Sequence, residues 1–140
     1  NPTGVLDTSH ANRTAALAAK AYSKGLIDRA VLDGLANTLR YRIWAPEKGP
    51  FYFNNYVDGS DCDLGGLRPG RGGNIWFGWH RLAAYHPDLE ELFLAVAYDL
   101  TNGGPNLPDG AQNKTMNEAP LCLEAWAARL LAGGQPRSFP

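Results

Sequence analysis

The stretch from Pro50 to His80, PFYFNNYVDGSDCDLGGLRPGRGGNIWFGWH, constrains this chain more than any other. It gathers aromatic residues, aspartates, two arginines and a glycine cluster between segments whose apolar residues recur with helical spacing. A connection this long is uncommon inside a compact domain, and such loops are either functional or disordered. The aromatic content argues against disorder. The expectation is a ligand site made by this loop and the helix ends near it.

Five segments read as helices. Asp7-Thr8-Ser9-His10 opens the first, because Asp, Thr or Ser can accept from the free N–H groups of a first turn. Ala11 to Ser23 is alanine-rich and of high helix propensity, and Gly25 closes it as a C′ residue in the left-handed region. Asp28 caps the second, whose Val31, Leu32, Leu35, Ala36, Leu39 and Ile43 make one apolar stripe before Pro46. Asn74 caps the third, Ile75 to Tyr85, with Ile75, Trp79, Leu82 and Ala83 on a shared face. Pro87 sits in the first turn of the fourth. There Leu89, Leu92, Phe93, Val96, Ala97 and Leu100 read as an amphipathic, one-sided helix that ends at Asn102 to Pro105. Asn117 caps the fifth, Leu121 to Leu131, which is apolar nearly all round. Within the loop, Phe51-Tyr52-Phe53 and Tyr56-Val57 have strand-like composition, and a short β-hairpin turning at Asn54-Asn55 is expected at most.

The connection lengths then place the chemistry. Short links follow the first and third helices, which makes antiparallel neighbours; long links follow the second and fourth. The starts of helices one, three and five therefore share an end with both long loops. Asp7, Ser9, His10, Asn74, Trp76, Asn117 and Glu118 should converge near Tyr56, Asp58 and Asp61. Helix starts offer unpaired N–H groups and partial positive charge, which suit anionic or hydroxyl-rich ligands. Cys62 and Cys122 map to the same end. They allow either one disulfide or two buried free thiols.

Composition excludes some classes. With a net charge of −1 the chain has no electrostatic reason to meet nucleic acid or a membrane surface, and its apolar runs are far short of a membrane span. It has no CxxC, HExxH, P-loop or GxSxG pattern, so zinc-protease, nucleotide-phosphate and nucleophile-elbow chemistries lack support. No cofactor is expected. The loop aspartates Asp58, Asp61 and Asp63 hint at a calcium loop, but the spacing lacks the final glutamate of an EF-hand, so no metal site is assigned. Asn1 in place of an initiator methionine makes the chain a processed form or a piece of something longer. The triplets Asn12-Arg13-Thr14 and Asn113-Lys114-Thr115 fit a secreted protein, weakly.

Asp7-Thr8-Ser9-His10-Ala11-Asn12-Arg13 with Tyr22 and Gly25 resembles a helix-opening pattern of α/α-toroid proteins, and Asn55 to Ser60 and Gly78-Trp79 add to the likeness. That superfamily includes glycosidases, polysaccharide lyases and uronyl epimerases. The resemblance implies a carbohydrate cleft lined by inner-helix starts. A full toroid has many more helices, so residues 1–140 would be a single helical domain forming an arc. It would be either the C-terminal part of a larger toroid or one subunit of an assembly.

The candidates each carry a plainer alternative. His10 could act as general acid or base or simply bond Asp7. Asp58, Asp61, Asp63 and Glu118 could supply the carboxylate pair of glycoside hydrolysis or be turn residues. Tyr56 with His10 and Arg71 would suit a lyase or epimerase, with Arg71 neutralising a uronate and Tyr56 or His10 moving the proton; Tyr56 could equally be loop packing. Trp76, Trp79, Phe51, Tyr52 and Phe53 could stack sugar rings or form the core beneath the loop. His80 and His86 read as surface or packing residues. The expectation is an extracellular carbohydrate-active protein, catalytic through His10, Tyr56, Asp58 and Glu118. Asp7, Arg71, Asn74, Trp76, Trp79 and Asn117 would bind substrate. The other expectation is a non-catalytic glycan-binding or self-assembling secreted subunit.

Overall fold

The structure, a computed structural model, describes residues 4–61, 75 and 77–102. The helical segment expected over Leu121 to Leu131 lies outside the described residues. Within them the chain is helical and forms no β-strand.

Helix α1 spans Thr8–Ser23. Asp7 is its N-cap, and the carboxylate accepts from the His10 N–H at 3.0 Å. The helix buries Thr8, Ala11, Ala15, Ala18 and Ala19. Gly25, at φ 72°, ends it. Its N–H donates to Tyr22 O, and that of Leu26 reaches back to Ala21 O, the paired bonds that satisfy a helix's last carbonyls.

Helix α2 spans Arg29–Thr38 and passes into a π-helical segment, Leu39–Ile43. The sequence stripe is largely right: Leu32, Ala36, Leu39 and Ile43 are fully buried, while Val31 lies at the edge, 46% exposed. The wider turn is a departure from the expected continuous α-helix. It ends where Trp44 N–H bonds Leu39 O and the chain turns extended. Asn54 accounts for this ending. Its N–H donates to Ile43 O and its side-chain amide to Arg42 O, so loop groups take carbonyls a helix end would leave open.

Helix α3 is short, Phe77–His80, and continues as a 3₁₀ turn over Arg81–Ala84. The expected single helix from Ile75 to Tyr85 is therefore narrower and later in onset. Pro87 disfavours helical backbone at His86, and the tighter 3₁₀ turn closes the segment before it. The small face of α1 admits α3 at very close range. A Cβ on Gly78 would lie 1.8 Å from the Asn12 carbonyl oxygen. Trp79 Nε1 donates to Thr8 O at 2.9 Å, in the interior.

Helix α4 spans Pro87–Thr101. Leu92, Phe93, Leu94, Ala95, Val96 and Ala97 are all buried, so α4 is an interior helix and not the one-sided helix expected. Arg40 clamps the π segment to its first turn, with Nε and Nη2 both donating to the Asp88 carboxylate. The core joins Ala11, Ala15, Leu32, Leu39, Ile43, Phe51, Phe53, Ile75, Trp79, Leu82, Leu89 and Phe93. Each large apolar side chain so buried contributes about 1.5–3 kcal/mol.

The expected β-hairpin does not form. Phe53 pairs with Trp44 and Tyr56 with Asp7, as isolated antiparallel bridges. The two strand-like runs have alternative partners in the flanking helix ends, and these win over pairing with each other.

Candidate functional site

The start of α1 meets the loop directly. Thr8 N–H donates to Asn55 O at 2.7 Å, Val57 N–H to Leu6 O at 3.2 Å, and the Thr8 hydroxyl to Asn54 O at 2.8 Å. His10 and Tyr56 are therefore neighbours at one pole, as the connection lengths require.

Asp7 is the organising group there. Oδ1 accepts from the His10 N–H and, at 2.5 Å, from the Ser9 hydroxyl. Oδ2 lies 2.5 Å from His10 Nδ1. Burial opposes ionisation of Asp7, but the bonds from Ser9 and from His10 hold its carboxyl below the usual value. An ionised carboxylate only accepts, so the ring proton is assigned to Nδ1 and the Nε2 lone pair is left available. The His10 side chain is 69% exposed. A carboxylate that fixes the tautomer and orientation of an exposed imidazole is the arrangement that a general base uses.

The loop aspartates have separate duties. Asp58 accepts from the Ser60 N–H at 2.9 Å and from its hydroxyl at 2.7 Å, and these bonds hold it below the usual carboxylate range. It is exposed and ionised, so it can serve as a base or an electrostatic partner but not as a proton donor near neutrality. Asp61 is a structural hub, accepting from Tyr52 OH at 2.5 Å, Asn55 N–H at 2.7 Å and Lys48 Nζ at 3.0 Å. Burial raises its pKa, and these three donors outweigh that and lower it. Lys48 also reaches Asn54 Oδ1 at 2.6 Å. Lys48 was not singled out in the sequence and Asn54 only as a turn residue; neither belongs to a motif, and only the folded loop brings them together.

Two expected roles fail on position. Tyr56 is 3% exposed, so its ring packs inside and is not presented to substrate as a proton acceptor. Trp79 is 1% exposed with its indole N–H committed to Thr8 O, so it cannot stack a sugar. Phe51, Tyr52 and Phe53 are likewise buried and form the core under the loop. His80 and His86 are packing residues, as expected. His80 lies against Phe93 with ring centroids 4.2 Å apart, and His86 Nδ1 is 3.1 Å from an Arg40 Nη2. Arg71, Asn74, Trp76, Asn117, Glu118 and Asp63 lie outside the described residues, as do Cys62 and Cys122.

Among the described residues no cluster of His, Cys, Asp and Glu could hold a metal ion, and no helix is long and apolar enough to cross a membrane. Comparison with protein-family models, with curated proteins and with solved structures found no match.

Proposed function

We propose that the loop pole is the site of an extracellular carbohydrate-active protein, with His10 moving the proton and Asp7 orienting it. The observation that carries the reading is the Asp7–His10 pair, set at the exposed start of α1 beside the loop. A polysaccharide offers hydroxyl and carboxylate groups suited to the polar rim there, and proton abstraction or donation beside a sugar oxygen needs an oriented base of this kind. The α/α-toroid likeness of Asp7 to Arg13 supports the ligand class. The helices would then form part of a toroid-like arc.

The test is turnover of uronate-containing and neutral polysaccharides by the native chain, His10→Ala and Asp58→Ala. The reading expects turnover that falls at least a hundredfold in His10→Ala, with a smaller loss in Asp58→Ala. Turnover unchanged in a folded His10→Ala variant would overturn it.

A second reading, a non-catalytic self-assembling glycan binder, is favoured by one observation. Leu17 and Leu26 are 68% and 76% exposed, on and just after α1. Sedimentation of the native chain against Leu17→Lys separates the two: this reading expects an assembly that the substitution dissolves, and a monomer in both cases excludes it.

A further inference from the structure

His86 stands immediately before α4, and its carbonyl accepts from the Leu89 and Glu90 N–H groups of the first turn. Its imidazole is 9% exposed and sits among charges from three elements. From the π segment, Arg40 brings Nη2 to 3.1 Å from His86 Nδ1. From α2, Asp33 Oδ1 lies 3.4 Å from His86 Nε2. Arg29, also of α2, donates to Asp33 at 2.9 Å and to Tyr85 O at 2.7 Å, with the Tyr22 phenol of α1 beside it. From α4 itself, Asp88 accepts from Arg40 Nε and Nη2. A guanidinium only donates, so the 3.1 Å contact needs a lone pair on Nδ1 and puts the ring proton on Nε2, towards Asp33. A second proton must go to Nδ1, where it meets the Arg40 N–H. The contact then becomes donor against donor and cation against cation, at the positive end of α4. Asp33 and Asp88 act the other way, but they are 47% and 54% exposed and each already faces an arginine. Burial first, then Arg40 and Arg29, hold the His86 pKa below its ordinary value.

We propose that His86 is an acid-sensitive latch: when its ring takes a second proton from solvent, Arg40 is driven off Nδ1 and the joint between the π segment and the start of α4 opens. Arg40 is also the clamp on Asp88, so its displacement loosens the first turn of α4. Leu39 and Leu89, beside the two partners of the clamp and both buried, are the apolar surface that opening uncovers. The direction with pH follows from the lowered value. Between that value and the ordinary one of about 6.5, the open joint binds the proton more readily than the closed one. The closed joint is therefore fully favoured above about pH 6.5 and loses ground as pH falls. The latch uses no group of the loop pole, so it stands or falls apart from the glycan reading.

The experiment titrates the three histidine rings of the whole protein by NMR and measures hydrogen exchange, corrected for intrinsic rate, at pH 7 and pH 5. It compares the Leu89 and Glu90 amides with those of Ala15 and Ala18 in mid-α1, where any general loss through His80 also registers. In the native chain His86 should titrate below about pH 6.5, and protection at Leu89 and Glu90 should fall about tenfold on acidification, well beyond any fall in mid-α1. His86→Gln offers Arg40 an amide oxygen and Asp33 an amide N–H with nothing to titrate. It should keep the protection seen at pH 7 and lose the acid step. Arg40→Gln removes the facing cation and should raise the His86 titration. If His86→Gln fails to fold, the native titration and Arg40→Gln decide the matter. The proposal is overturned by a His86 titration at or above about pH 6.5 in the native chain, or by one unmoved in Arg40→Gln. It is equally overturned by an acid step that is absent from the native chain, equal in α4 and mid-α1, or unchanged in His86→Gln.

Discussion

Gly25 and Gly78 show how differently two glycines can matter. Gly25 has a left-handed backbone but open space where a Cβ would go. Gly25→Ala should therefore cost about 1 kcal/mol, the strain of that conformation alone. Gly78 has the opposite problem. Its Cβ would strike the Asn12 backbone, which cannot swing aside as a side chain can, so Gly78→Ala should cost about 3 kcal/mol or more. Urea midpoints of the two variants check the order, and a Gly25 effect equal to or larger than the Gly78 effect contradicts the packing. The left-handed role of Gly25 was legible from its place after an alanine-rich run. The role of Gly78 was not, because a close approach between helices depends on residues sixty-six positions apart. His80 supplies a pH prediction at the same scale. Burial pushes its pKa down to about 3, below the ordinary value, so between those values the unfolded chain binds the proton more readily. Stability should be fully present above about pH 6.5 and fall with acidity, by up to about 1.4 kcal/mol per pH unit. His80→Leu should flatten that slope in denaturant titrations at pH 7 and pH 5; an unchanged slope contradicts the assignment.

At the scale of elements, the π segment Leu39–Ile43 depends on the loop that follows it. Asn54 donates to the carbonyls of Arg42 and Ile43, accepts from Lys48, and gives its own carbonyl to the Thr8 hydroxyl. Asn54→Ala should cost about 1–3 kcal/mol, because it strips the amide from the part-buried Arg42 carbonyl and from Lys48. Hydrogen exchange should show the loss at Trp44, beside the Arg42 carbonyl that the Asn54 side chain caps, while the start of α1, held by the Asn54 main-chain carbonyl that alanine keeps, stays protected. Equal loss at both places would contradict this division. Helix positions and core stripes could be read from periodicity, as Leu32, Ala36, Leu39 and Ile43 show. The π turn and the short α3 could not, because hydrogen bonds to distant loop groups and a following proline set them. The strand-like composition of Phe51 to Val57 misled for the same reason: β-propensity states that a residue fits a half-buried extended surface, not which segment it pairs with.

For the whole molecule, the arrangement that matters is polarity, with the start of α1 and the long loop meeting at one pole. The placing of Asp7, His10 and Tyr56 together was legible from connection lengths. The burial of Tyr56 and Trp79 was not, because an aromatic run has the same composition whether it lines a cleft or fills a core. The function of Asp7 can be separated from its capping role. Asparagine caps a helix as well as aspartate does, so Asp7→Asn should change stability by less than about 0.5 kcal/mol while removing the charge that fixes the His10 tautomer. The most direct measurement is long-range ¹⁵N NMR of the His10 ring in the native chain and in Asp7→Asn, before and after addition of an oligogalacturonate. The account predicts a proton on Nδ1 in the native chain, a shifted tautomer balance in Asp7→Asn, and a displaced Nε2 resonance when the sugar is added. A proton on Nε2 in the native chain, with His10 resonances unmoved by any glycan, would contradict it.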